Sequence, residues 1–318
     1  MASPSGNILS VPIKLRANDI VRHIINIDSK FRDSPNVFSQ SDFYFTLLSS
    51  VRNVLRIRIT SVELPNNFFF FTEKRGNVSV RLTYDASGTI TVQDIVLPDG
   101  NYTSDGPDGD SMVAFFNTTF SSLVNGFKLK ASFSIINGSF KFVGSGPFQI
   151  DTAIGTKDRL TDYGLGYYLG FTRGQHDAGA DSSGNYIVIS DKSANFNGEN
   201  YIFLYLNDYV CVRQTVRAYD STYSQVKCKP EEFNALAKII ITTPKNYIAF
   251  DDYANRQIKE VVFPSPVDLT RLRIKLLDAY GEVIDLCSAQ FSFSMEVLEV
   301  KNMTLYNTIR DSLTLEYL

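Results

Sequence analysis

The residues able to do chemistry are few and scattered. Two histidines occur, His23 in the strand-like run VRHIINI and His176 in the polar loop GQHDAGADSSGN, and neither has neighbours at a spacing that specifies a triad or a zinc site. Each reads as a structural histidine. Three cysteines, Cys211, Cys228 and Cys287, are odd in number, lack any Cys-x-x-Cys pairing, and read as structural thiols of a reducing compartment. Asp251 and Asp252 are adjacent, so on a strand they would point to opposite faces, whereas glycoside hydrolysis needs two carboxyls facing one sugar. That pair reads as a turn. Asp105, Asp108 and Asp110, and Asp177 with Asp181, offer oxygen ligands without the loop spacing of an EF-hand, and read as solvated turn acids. The run GLGYYLG (164–170) has its third glycine one position late for a dinucleotide loop and no βαβ unit around it; it reads as a tight turn into a buried Leu-Gly-Phe. No catalytic residue, cofactor site or metal site is assigned. Sugar binding without catalysis would need exposed aromatic platforms, for which Tyr167 and Tyr168 are the candidates.

The elements that must position these residues are strands. In VLRIRITSV, Leu55, Ile57 and Ile59 share one face and Arg56, Arg58 and Thr60 the other, the pattern of a half-buried antiparallel strand. The same alternation recurs in NVSVRLTY (Val78, Val80, Leu82, Tyr84), in LRIKLL (Leu272, Ile274, Leu276) and in FSFSMEVLEV (Phe291, Phe293, Met295, Val297). YIFLYL (201–206), apolar on both faces, reads as a central strand, and KIIIT (238–242) resembles it. Two stretches look helical: DSMVAFFNTTFSSLVNG (110–126), opened by an Asp suited to N-capping and closed by Gly, and KPEEFNALA (229–237), with Pro230 near its first turn. From about Leu97 to Phe171 a Gly/Asp-rich loop, that first helix, a Phe-rich hairpin and a Gly-rich segment suggest a small α+β subdomain inserted between sandwich strands, spanning 97–171.

Composition narrows the function classes. A chain of 318 residues can bury a substantial core, and a formal net charge of −3 supplies no strong field for nucleic acid or an anionic membrane. The first nineteen residues hold no apolar h-region, and no apolar run approaches the length of a bilayer span, so the expectation is a soluble, unexported protein without membrane insertion. The Asn-X-Ser/Thr matches at Asn77, Asn101, Asn117, Asn137 and Asn302 would matter only on a secretory route.

Several strings in a fixed order resemble one family. They are INIDSKFRDSPNVFSQSDFYFTL, NVLRIRITSVELPNNFFFFT, VLPDGNYT followed by a helix, YYLGF, and VVFPSPVDLTRLRIKLLDAYGEVIDLCSAQFSFSMEVLEV. Together they resemble the penton and minor capsid jelly-roll proteins of large nucleocytoplasmic DNA viruses, over most of residues 20–300. The most specific pieces are Asp28, Ser29, Arg32 and Asp33, the stretch Glu63 to Asn66, and the block around Leu272, Asp278, Gly281 and Phe293. The resemblance implies a mainly β protein, an antiparallel single jelly-roll sandwich over 20–300 interrupted by the 97–171 subdomain. It implies a non-enzymatic brick of an icosahedral virion capsid, made and assembled in the host cytoplasm. Its partners would be the major capsid protein and other capsid subunits, with a homo-pentamer if it is a penton. The alternative is a β-sandwich carbohydrate- or receptor-binding module of a virion fibre or surface protein.

The run LPNNFFFF (64–71) asks what covers both faces of four consecutive phenylalanines. On a strand Phe68 and Phe70 point one way and Phe69 and Phe71 the other. One pair enters the sandwich core while the other meets the insertion or a neighbouring subunit, or both lie inside one chain. Phe69 and Phe71 are candidate subunit contacts, together with Leu305, Ile309 and Leu313 of the tail. Residues 1–19 carry Ser, Pro and Asn, are too poor in periodic apolar residues to fold alone, and read as an arm that orders against neighbours. In the tail, 301–318, Leu305, Ile309 and Leu313 recur at four-residue spacing, so a short amphipathic helix is expected, docked on another subunit or on its own sandwich.

Overall fold

The computed structural model describes residues 17–106, 111–123, 126–157, 159, 161–207, 212–217, 230–245, 247–251 and 260–316. Cys211, Cys228, Asp108, Asp110, Asp252 and most of the proposed arm lie outside these, as do the side chains of Asp251 and Leu313.

Strands dominate, and every ladder of the seven-stranded and the two four-stranded sheets is antiparallel, the fold class expected from the alternation. In chain order the first are β1 (Ile20–Asp28), β2 (Asp42–Pro65), β3 (Ser79–Ala86) and β4 (Thr89–Val96), then helix α1 (Met112–Phe120). Next come β5 (Leu129–Ser134), β6 (Ser139–Gly144), β7 (Phe148–Asp151), the single turn α2 (Leu165–Tyr168), β8 (Gln175–Asp177), β9 (Gly179–Ala180) and β10 (Tyr186–Ile189). The remainder are β11 (Tyr201–Leu206), β12 (Val212–Arg217), β13 (Pro230–Ala235), β14 (Ala237–Ile240), β15 (Ile248–Asp251), β16 (Glu260–Leu277), β17 (Ser292–Val300) and helix α3 (Met303–Glu316).

The chain divides into two compact units. The first comprises Met1–Asn66, Tyr201–Arg213 and Asn234–Leu318, the second Asn67–Asn200 and Gln214–Phe233. The first unit holds one seven-stranded sheet in the order β1-β17-β2-β16-β11-β14, with β15 also paired to β2. Its inward residues are those the alternation predicts: Leu272, Ile274 and Leu276 on β16, and Phe293, Met295 and Val297 on β17, are all buried. Strand β2 is more irregular than its sequence suggests. Ile57 and Ile59 are buried, but Leu55 is only half-buried and Val54 takes its inward place, because the ladder with β17 slips between Val54 and Arg56. A second slip leaves Thr60 as an extra residue, after which Val62 and Leu64 point inward. Each bulge resets the period-two phase and adds bend and twist, which curls the sheet. YIFLYL is central as expected, between β16 and β14. KIIIT differs: β14 ends the sheet, and Ile240 is exposed on it.

The second unit contains two four-stranded sheets, β4-β3-β7-β8 and β5-β6-β10-β9. Its core is built from Phe71, Val80, Leu82, Tyr84, Phe116, Phe140, Phe142 and Phe171 among others. Helix α1 begins where its chemistry dictates: Ser111 Oγ accepts from the Ala114 N–H at 3.1 Å, so the N-cap is Ser111, one residue beyond the expected Asp. The Asn117 amide locks the helix to β5, donating to the Ala131 carbonyl at 3.1 Å and accepting from its N–H at 2.8 Å.

This second unit reaches beyond the 97–171 subdomain read from sequence. The hairpin of β3 and β4 pairs through β3 with β7, not with the seven-stranded sheet, and its alternation is identical to that of a sandwich strand. The helix expected at 229–237 is instead a strand: β13 pairs with β12, so the helix-friendly letters of EEFNALA give way to cross-strand pairing. The tail is helical, as α3, with the Asn302 side chain accepting from the Leu305 N–H at 3.0 Å as its N-cap.

Candidate functional site

Among the described residues the candidates for chemistry are dispersed, and several are held by local hydrogen bonds. His23 Nε2 lies 2.6 Å from Glu299 Oε2, and His176 Nε2 lies 2.9 Å from the Thr172 carbonyl. Asp181 folds its own turn, accepting from the Ser183 and Asn185 N–H groups at 2.8 Å; the Asn185 backbone bond holds its carboxyl below the usual range. Asp177 accepts from the Gln149 amide at 2.6 Å, and Cys287 is an exposed free thiol. Among the described residues no three His, Cys, Asp or Glu side chains gather as a metal-binding group. GLGYYLG is a packing device: Gly170 has φ +86°, and a Cβ there would meet the Lys192 carbonyl oxygen at 2.2 Å. Leu169 and Phe171 on either side of it are buried.

LPNNFFFF is not a strand beyond Pro65, so its alternation fails. The Phe70 N–H donates to Asn101 Oδ1 at 2.9 Å, and its carbonyl accepts from Asn77 Nδ2 at 2.9 Å. Asparagine side chains thus replace a ladder, and the rings follow the turn. Phe68, Phe70 and Phe71 are buried, while Phe69 is 43% exposed. Phe71 packs edge-on against Phe70, Tyr102 and Tyr168 inside the second unit's core, so it offers no surface to a neighbour and is withdrawn as a contact. Phe69 keeps an accessible ring. Leu305 and Ile309 on α3 are half-buried.

The first unit carries an apolar strand at the surface that the sequence does not announce. Asn66 is buried, its N–H donating to the Tyr247 carbonyl at 2.9 Å and its Nδ2 to the Thr243 carbonyl at 2.8 Å, which docks β15 against the end of β2. Ala249 faces inward opposite Leu64, so Ile248 and Phe250 face outward, 66% and 55% exposed, beside an exposed Tyr247. Among the described residues β15 pairs with β2 alone, and its other edge meets no described strand. An apolar, unpaired edge is a template for contact with another chain.

The second unit holds a cavity of about 540 Å³ lined by Arg159, Tyr163, Tyr167, Arg173 and Lys192, with hydroxyl and amide groups between them. Tyr163 donates to the Phe171 carbonyl, and burial pushes its phenol up to about 12, so it stays a neutral donor. Arg173 is held by Thr156 Oγ1 at 2.9 Å, with its guanidinium 5.9 Å from the Tyr163 ring centre. Tyr167 is half-buried at the wall, but Tyr168 is buried in the core and cannot serve as a platform.

These features define a mainly antiparallel β protein with a curled sheet and an α+β unit. No protein-family model matches the sequence, and no curated protein matches it. Among solved structures, the crystal structure of the mavirus penton protein is similar with a TM-score of 0.42 and 10% identity, covering 88% of this chain and 98% of that one. No helix among the described residues is long and apolar enough to cross a membrane.

Proposed function

We propose that the protein is a structural, non-enzymatic component of an icosahedral viral capsid, a penton or minor capsid subunit that works through contacts with the major capsid protein and with its own copies. The observation that carries this reading is β15, paired on one edge only among the described residues, which presents Ile248 and Phe250 to solvent beside an exposed Tyr247. A free monomer gains nothing from such a strand and risks aggregation, whereas a lattice subunit converts it into a contact. Phe69, Leu305 and Ile309 are further contact candidates; Leu313, on the same helix, completes the set. The ordered strings of residues 20–300 supply independent support. The site of action is the virion, after assembly in the host cytoplasm. Negative-stain imaging of the concentrated protein tests the reading: closed rings or larger regular assemblies are expected, and single particles of monomer size alone argue against it.

A second reading rests on the cavity of the second unit. Three cationic side chains beside the half-buried Tyr167 ring suit a carboxylate-bearing sugar, which would make the protein a receptor-binding module. A glycan array probed with wild type, Tyr167→Ala and Lys192→Ala decides this. Retention of acidic glycans by wild type and their loss in both variants supports it, and no retention by wild type removes it.

A further inference from the structure

The hairpin of β5 and β6 ends in an apolar tip. Ile135 and Ile136, consecutive in its turn, are 86% and 99% exposed. The turn that carries them is braced. The Gly138 N–H donates to the Ser134 carbonyl at 2.8 Å, and Asn137 Oδ1 accepts from the Ser139 N–H and hydroxyl at 3.1 and 2.8 Å. From the neighbouring segment, Ser193 Oγ donates to the Asn137 carbonyl at 3.0 Å and the Ala194 N–H to the Gly138 carbonyl at 2.8 Å. The two isoleucines are therefore presented in a fixed shape, and the carbonyls of Ser134, Asn137 and Gly138 already have donors. A turn so satisfied leaves water at lower cost than one whose polar groups are hydrated.

The surface behind the tip is basic. Residues 111–150 contain no Asp or Glu but include Lys128, Lys130 and Lys141, so the net charge of −3 hides a local excess of the opposite sign. On the outer face of the sheet Lys141 lies opposite Ser132 and Ile189, and Lys130 opposite Val143. Ile189 is exposed, so the lysines are interspersed with accessible apolar groups. Asp181 feels Lys141, but its carboxyl is held by the Ser183 and Asn185 N–H groups of its own turn. Lys141 sits two residues behind the Ser134/Ser139 pair that closes the turn, about 7 Å along the strand, and Lys130 about 13 Å. Elements that rest on a bilayer bury their apolar part about 5–10 Å into the boundary between headgroups and acyl chains. At that depth Lys141 is level with the headgroups.

We propose that this hairpin is a peripheral membrane contact, in which Ile135 and Ile136 enter the surface of a bilayer rich in anionic lipid while Lys130 and Lys141 pair with its headgroups. The contact lies on the membrane and does not span it. It goes beyond the capsid reading and does not depend on it; in a shell, copies side by side add their weak single contacts. A protein pocket also accepts two isoleucines, but it does not call for a basic, acid-free surround, whereas an anionic lipid surface attracts each nearby lysine.

The protein lacks tryptophan, so Ile136→Trp installs a single reporter at the tip and Ile90→Trp a control on β4. With vesicles of equal parts phosphatidylcholine and phosphatidylserine, the Ile136→Trp emission should shift to the blue, the control should not, and added salt should weaken the shift. In co-sedimentation with the same vesicles wild type should bind. Ile135→Asp with Ile136→Asp, and separately Lys130→Glu with Lys141→Glu, should each bind at least about tenfold more weakly. No binding by wild type, or a double variant that binds as well as wild type, overturns the proposal. A blue shift that grows with protein concentration in the absence of vesicles assigns the tip to a pocket on another copy and overturns it as well.

Discussion

At the scale of residues, the four phenylalanines of LPNNFFFF separate core from surface within one short segment. Phe71 is fully buried among aromatic rings, so Phe71→Ala should cost about 3–5 kcal/mol of unfolding free energy. Phe69→Ala should fall within about 0.5–1 kcal/mol of wild type. Urea unfolding monitored by far-ultraviolet circular dichroism separates the two; equal losses would contradict the assignment. The strand alternation read from these letters fails because Asn77 and Asn101 satisfy the backbone of Phe70, a long-range arrangement that no local pattern encodes. Electrostatics offers a second test. The Thr172 N–H donates to Asp191 at 2.9 Å, and this bond, with that of the Thr172 hydroxyl, holds the carboxyl below its ordinary range. A group whose folded value is depressed contributes stability above its unfolded value and loses it as pH falls through the folded one. Asp191→Asn should therefore lower stability at neutral pH and flatten the acid limb below about pH 4; an acid limb as steep as that of wild type would reject the role.

At the scale of elements, β16 and β17 show how much is legible. Their inward faces, Leu272, Ile274 and Leu276, and Phe293, Met295 and Val297, follow directly from period-two spacing because each strand packs one face on the core. β15 shows what is not. In Ile248-Ala249-Phe250 the small residue faces inward and the large ones outward, the reverse of the usual reading, and only the pairing of Ala249 with Leu64 reveals it. β13 is hidden for a related reason, since partner β12 overrides the helical preference of its own residues. The inverted strand makes a prediction of its own. Ile248→Lys and Phe250→Glu, both at exposed positions, should leave the denaturant midpoint within about 0.5 kcal/mol of wild type while weakening self-association. A large loss of stability in either would show that the strand serves folding instead of contact.

At the scale of the whole molecule, the sequence discloses a mainly β chain carrying an α+β unit, but not the extent of that unit. β3 and β4 carry sandwich-like alternation and yet belong to the second unit, since a strand's pattern reports that one face is buried and not which sheet buries it. The candidate surface was least legible of all, because contacts live on exposed residues, where composition is weakly constrained. The capsid reading is tested most directly by sedimentation equilibrium of wild type and Phe250→Glu over a wide concentration series. The account predicts association of wild type into a closed oligomer of defined mass, with Phe250→Glu remaining monomeric at the same concentrations. A wild-type protein that stays monomeric throughout, or a variant that assembles as well as wild type, would contradict it.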